Sequence, residues 1–270
     1  MSLSISGKTA IVTGAANGLG LAIARHFVDK GANVMFADVD EARLEAEIGH
    51  DARGEGPVRM FAGDLRERLT IANLLSATID AFDRVDILVN ASRRCALSDP
   101  LDPESDGVEM MLQQNLMTAL RLSQGVARRM VQSAEKAGVE PGVPIGAIVN
   151  LSSVAATRPP RGMLGYSIAA AAVEQMTRAM ALELAGTGIR VNAVSFGSVM
   201  SASLHNALRE NPDWRGVIEE ATPLRRIAGP EELAETVQYL ASDAARFVTG
   251  QVICVDGGRG IVDAVPVPAF

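Results

Sequence analysis

A short apolar run near the start of the chain gives way to Thr13-Gly14-Ala15-Ala16-Asn17-Gly18-Leu19-Gly20. Glycine tolerates positive φ and lets backbone come close to a ligand. A helix opening at Leu19 would add free N–H groups and a partial positive charge, a combination that holds a phosphate or pyrophosphate. The spacing is G-x-x-x-G-x-G rather than G-x-G-x-x-G, and a plain tight turn uses the same residues. The position directly after the first strand is what favours a phosphate loop. Asp38 closes the next apolar run, Met35-Phe36-Ala37. A carboxylate there can accept hydrogen bonds from a ribose diol and would repel a 2′-phosphate. Neither Asn17 nor Val39 supplies a cation to receive that phosphate. The two features together read as a dinucleotide site that favours NAD over NADP. The alternative for Asp38 is a cap for the helix beginning near Asp40.

These residues need a scaffold, and the pattern of the chain supplies one. Apolar, β-rich runs recur at 9–12, 33–37, 58–62, 87–89, 147–151, 190–194 and 252–255. Their near-continuous Val, Ile, Leu and Ala suit strands buried on both faces of a parallel sheet. Helical stripes at 19–30, 41–48 and 69–82 alternate with them, the first ending at Gly31. This alternation predicts an α/β, doubly wound, Rossmann-type domain. No linker or repeat divides residues 1–258, so a single domain is expected, with a tail at 259–270. Gly138, Pro141, Gly142 and Pro144 predict a loop over 133–144, and Pro266 and Pro268 predict a surface or interface extension. The helix after Tyr166 is apolar on nearly all sides over 167–184, so it must bury more than one face. A neighbouring helix and a partner subunit are both open as its cover.

Composition excludes several classes. The 270 residues carry 25 Lys and Arg against 32 Asp and Glu, a formal charge of −7. Without a basic run, nucleic-acid binding is not expected. Cys95 and Cys254 form neither a C-x-x-C nor a disulfide framework. Three scattered histidines predict no metal site. No apolar stretch approaches the ~18 residues of a membrane span. Residues 1–7 are too short and polar for a secretory signal, so the reading is a soluble, cytoplasmic protein.

Further motifs carry a resemblance. These are Gly63-Asp64-Leu65, Asp86-Ile87-Leu88-Val89-Asn90, Asn115, the run 148–153, Tyr166, Ile189-Arg190-Val191-Asn192-Ala193-Val194, Arg226-Ile227-Ala228-Gly229-Pro230-Glu231-Glu232, and Val255-Asp256-Gly257-Gly258. With the glycine loop and Asp38 they make the chain resemble the short-chain dehydrogenase/reductase family from Lys8 to Gly258. The resemblance implies a seven-stranded parallel sheet and a homodimer or homotetramer. It implies hydride transfer between a nicotinamide and a small-molecule secondary alcohol or ketone. Gly14, Asn17, Gly18, Leu19, Gly20 and Asp38 would then bind the coenzyme. Asp64 and Leu65 would contact its adenine, Asn90 would lie beside it, Val199 would bind the carboxamide, and Ser201 would sit near the phosphates. The span 198–217 would form the substrate lid.

By the same resemblance, Tyr166 is the acid/base, Ser153 steadies the substrate oxygen, and Asn115 belongs to the proton path. The family places a lysine four residues after the tyrosine, and here that position is Ala170. The chain's three lysines, Lys8, Lys30 and Lys136, lie elsewhere. At an effective dielectric of ~20, a cation ~5 Å from a phenolate is worth roughly 3 kcal/mol, so its loss matters. Two further departures accompany it. Asn90-Ala91-Ser92-Arg93 replaces N-N-A-G, and Phe196-Gly197 replaces Pro-Gly. Arg93 or Arg94 is a candidate substitute cation, although exposed arginines are usually just solvated. Arg93 could equally block the coenzyme. Two other readings stay open: a catalytically degenerate relative that keeps the fold and the dinucleotide, and an S-adenosylmethionine methyltransferase.

Overall fold

In a computed structural model, described for residues 3–102, 104, 106–140 and 142–263, one parallel sheet runs through the molecule. Its strands are β1 (Thr9–Thr13), β2 (Asn33–Asp38), β3 (Val58–Ala62), β4 (Ile87–Asn90), β5 (Gly146–Ser153), β6 (Ile189–Phe196) and β7 (Val252–Val255). They lie in the order β3-β2-β1-β4-β5-β6-β7. Successive side chains on a strand point to opposite faces. Ile11 therefore enters one core with Met35, Leu88 and Ile148, while Ala10 and Val12 enter the other with Phe36 and Val149. That double burial is the physical origin of the continuous apolar runs.

Helices α1 (Gly18–Asp29) and α2 (Glu41–Ala52) cover one face, with α3 (Arg68–Phe82) on the other. Next come the short α4 (Val108–Met111), a wide π-helical segment at Leu112–Met117, and α5 (Thr118–Lys136). Helix α6 (Leu164–Leu184) packs beside α5 on the α3 face. Helices α7 (Ala202–Glu210) and α8 (Trp214–Glu220) follow β6, and α9 (Pro230–Ala241) joins the α1 face.

Several boundaries differ from the sequence reading. The expected loop over 133–144 begins later, because α5 continues to Lys136 before Gly138 turns the chain at φ 65°. Helix α8 continues past Val217, where the segment expected from the sequence ends, to Glu220. Strand β6 reaches Phe196 because its last residue still pairs with Ser153 and Val255. Pro141, Pro266 and Pro268 lie outside the described residues. Helix α6 leaves Leu164, Ile168 and Leu182 exposed, so this chain alone does not bury its whole apolar circumference.

Candidate active site

Chain order in the sheet reverses between β1 and β4, and crevices at such switch points, beyond the carboxyl ends of the strands, are where α/β sheets bind ligands. The loop after β1 enters that crevice with Gly14 at φ 66° and Gly18 at φ 56°. A side chain at Gly14 would come within 2.8 Å of the Ser92 backbone. No side chain caps α1, so its first-turn N–H groups are left for an anion. The Asp38 carboxylate accepts from Ala16 N at 3.0 Å and Asp40 N at 3.1 Å, tying the glycine loop to the end of β2. The helix cap at α2 is Asp40, which accepts from Arg43 N, so Asp38 is not the cap. Open glycines, an uncapped helix start and a carboxylate beside them fit the adenosine and phosphates of a dinucleotide.

Across the switch point, residues 91–94 are held from both ends. The Thr13 hydroxyl accepts from Ala91 N and Ser92 N, each at 3.0 Å. The Asn115 amide clamps Arg94, with Oδ1 accepting from its N–H at 2.7 Å and Nδ2 donating to its carbonyl at 2.8 Å. Asn115 sits in the π-helical segment, a widened turn of the kind frequent at functional sites.

Between those clamps, Arg93 is exposed to solvent yet reaches the buried Tyr166 with its guanidinium. Its Nη1 donates to Tyr166 Oη at 2.7 Å, and its guanidinium carbon lies 4.5 Å from the centre of the Phe196 ring. Tyr166 is 6% exposed near the start of α6. Ser153 is buried at the end of β5, where its hydroxyl accepts from Ala155 N at 3.2 Å. Ala170 lies one turn beyond Tyr166 and is 6% exposed. Its carbonyl accepts from Ser152 Oγ, whose other neighbour is the buried Glu174. A cavity of about 20 Å³, bordered by Ser92, Arg93, Asn115, Tyr166 and Ala170, lies in this region. Such a volume holds about one water.

The other residues named from the sequence divide into two groups. Leu65 and Val199 are buried, Val199 bridging to Ala228. Ser201 caps α7 by accepting from Leu204 N, and Asn17 precedes α1 with an unengaged side chain at its cap position. Asp64 grips Arg66 through both oxygens, and that guanidinium holds its carboxyl below the usual range. An adenine contact from Asp64 would have to share the carboxylate with Arg66. Asn90 turns inward, its Nδ2 donating to Ser123 Oγ at 2.9 Å and Asn150 Oδ1 at 2.8 Å. Asn150 in turn donates to Thr177, so a buried polar chain fixes β4 and β5 to α5 and α6. Thr13 was not singled out from sequence. A hydroxyl immediately before the first glycine was the available signal.

A family model described as Enoyl-(Acyl carrier protein) reductase matches residues 14–259. The chain belongs to the short-chain dehydrogenase/reductase family. Oxidoreductase UcpA of Salmonella typhimurium is 32% identical over 271 residues, 97% of this chain and 98% of that protein. The 3-oxoacyl-[acyl-carrier-protein] reductase FabG of Thermotoga maritima is 32% identical over 262 residues, 95% of this chain and 99% of its own. A 7α-hydroxysteroid dehydrogenase solved with NADH and 7-oxo glycochenodeoxycholic acid superposes with a TM-score of 0.84 at 28% identity, covering 95% of each chain. These short-chain dehydrogenase/reductase relatives are oxidoreductases, and the methyltransferase alternative is dropped. No helix among the described residues is long and apolar enough to cross a membrane.

Proposed function

We propose that this protein is an NAD-dependent oxidoreductase that interconverts a small-molecule ketone and its secondary alcohol. The observation that carries the reading is the Tyr166 hydroxyl, held at the carboxyl edge of the sheet by a 2.7 Å hydrogen bond from Arg93. The coenzyme would be held by the Gly14–Gly20 loop, Asp38, Leu65, Val199 and Ser201, and it supplies or accepts the hydride. Tyr166 gives its proton to the carbonyl oxygen in reduction and receives it back in oxidation. Ser153 would supply a second hydroxyl to steady that oxygen, and Asn115 holds the backbone of Arg94. The preference for NAD rests on Asp38, whose charge opposes a 2′-phosphate.

Homo-oligomerisation, as a dimer or tetramer, is supported by the exposed Leu164, Ile168 and Leu182 on α6. A cytoplasmic location is in keeping with two free cysteines, Cys95 and Cys254. A second reading, a relative that binds the dinucleotide without turnover, is favoured by Ala170 alone. Tyr166→Phe decides between the two readings. Under the enzyme reading, NADH-dependent reduction across a carbonyl panel falls by roughly 10²–10⁴-fold while NADH still binds. Wild-type protein that binds NADH and turns over no substrate would instead establish the second.

A further inference from the structure

Ala170 leaves Tyr166 without the cation expected one turn beyond it, and the structure brings another cation, Arg93, to the phenol oxygen. Arg93 Nη1 reaches the phenol oxygen at 2.7 Å, and the same guanidinium lies over the Phe196 ring. The backbone on either side of Arg93 is fixed. Thr13 pins the two residues before it, and Asn115 pins the one after it. Among the described ion pairs, none within 4.0 Å engages Arg93, so no carboxylate neutralises its charge there. Arg93 thus touches both Tyr166 and Phe196, and it lines the same small cavity as Ala170.

We infer that Arg93 is a catalytic residue of this site, supplying to Tyr166 the positive charge that the lysine position lacks. The inference rests on the oxidoreductase reading above. Guanidinium has donors and no acceptor, so the contact occupies a lone pair of Oη and leaves the phenol's own hydrogen free for a substrate oxygen. In reduction, hydride adds to the carbonyl carbon and the carbonyl π pair takes the proton from Oη. The products are the alcohol, the oxidised coenzyme and a phenolate facing the guanidinium. A solvent proton then restores the phenol. An arginine stays protonated throughout, so Arg93 stabilises the phenolate and passes no proton itself.

A fixed cation here also discriminates between coenzyme states. The oxidised nicotinamide is positively charged and the reduced one is neutral, so Arg93 weakens binding of the oxidised form relative to the reduced one.

The test compares wild type, Arg93→Lys and Arg93→Ala by NADH fluorescence titration, by calorimetry with NAD⁺, and by NADH-dependent turnover on a carbonyl panel. In Arg93→Ala, NADH affinity should stay within about threefold while NAD⁺ binds on the order of tenfold more tightly. Turnover should fall by about 10²-fold, with Arg93→Lys keeping most of it. Equal or faster turnover in Arg93→Ala, or tenfold tighter binding of both coenzymes, would make the guanidinium an obstruction and overturn the inference while leaving the oxidoreductase reading intact. Failure of wild type and variants alike to bind either coenzyme would remove that reading itself, and the inference with it.

Discussion

The two halves of the crevice are built by different rules. On the α1 side, glycine loop, uncapped helix start and Asp38 form a set with no foreign part. On the α6 side, Ala170 stands one turn past Tyr166, Arg93 replaces a glycine and Phe196 replaces a proline. Random loss would leave unmatched holes. Here the new arginine contacts both the tyrosine and the new aromatic ring, and it borders the small cavity beside Ala170. The contrast teaches that a family-like glycine loop coexists with a tyrosine whose cationic neighbour is Arg93 rather than a residue at position 170.

The sharpest way to break the conventional half is Gly20→Val. A Cβ at that position would overlap the Gly14 carbonyl, a backbone atom that cannot swing aside. Overpacking of this kind costs about 3 kcal/mol, equivalent to roughly a hundredfold in affinity if it falls on binding. NADH titration should show that loss, and a thermal melt run in parallel separates it from unfolding. For the rewired half, Ala170→Lys in the Arg93→Ala background should recover on the order of tenfold in turnover. The same lysine added to wild type should gain little, because the phenol already has a cation. A large gain in wild type would show that Arg93 contributes no useful charge.

Much of the conventional half was legible in the sequence. Strand–glycine–helix order and an acid at the end of the second strand are local signals, and seven apolar runs forecast the seven strands. The rewired half was legible as an absence at Ala170 and as two candidate replacements, Arg93 and Arg94. Ala170 could be seen to lack an ammonium group, but nothing near Arg93 in sequence says that its side chain will turn towards Tyr166, 73 positions away. That outcome depends on Thr13 and Asn115 holding the intervening backbone, and on an aromatic face at the end of β6. The loop expected over 133–144 began too early for a simpler reason. Ser133, Ala134, Glu135 and Lys136 tolerate helix, and the first obligatory break is Gly138 at positive φ.

A smaller effect sharpens the coenzyme side. Wild type should prefer NADH to NADPH by about tenfold or more, from like-charge repulsion at Asp38. In Asp38→Ala the two should come within about threefold of each other. Both should also weaken, because the N–H groups of Ala16 and Asp40 lose their acceptor. A preference that persists in the variant would assign discrimination to another residue.

The smallest effect lies outside both halves and serves as their control. Glu232 accepts from Gly229 N at the start of α9 and pairs with Arg226, which holds its carboxyl down to about 2. A folded-state value below the unfolded one stabilises the protein above the unfolded carboxylate range. That stability disappears as pH falls from about 4.5 towards 2. The pair is partly exposed, so solvent screening reduces its worth to well under the full shift. Glu232→Gln should therefore lower Tm by only about 1–3 °C at pH 7, with the difference from wild type shrinking below pH 4. Coenzyme affinities should not change. If Glu232→Gln altered the NADH to NAD⁺ ratio as Arg93→Ala is expected to, that ratio would be reporting general loosening of the fold rather than charge beside Tyr166.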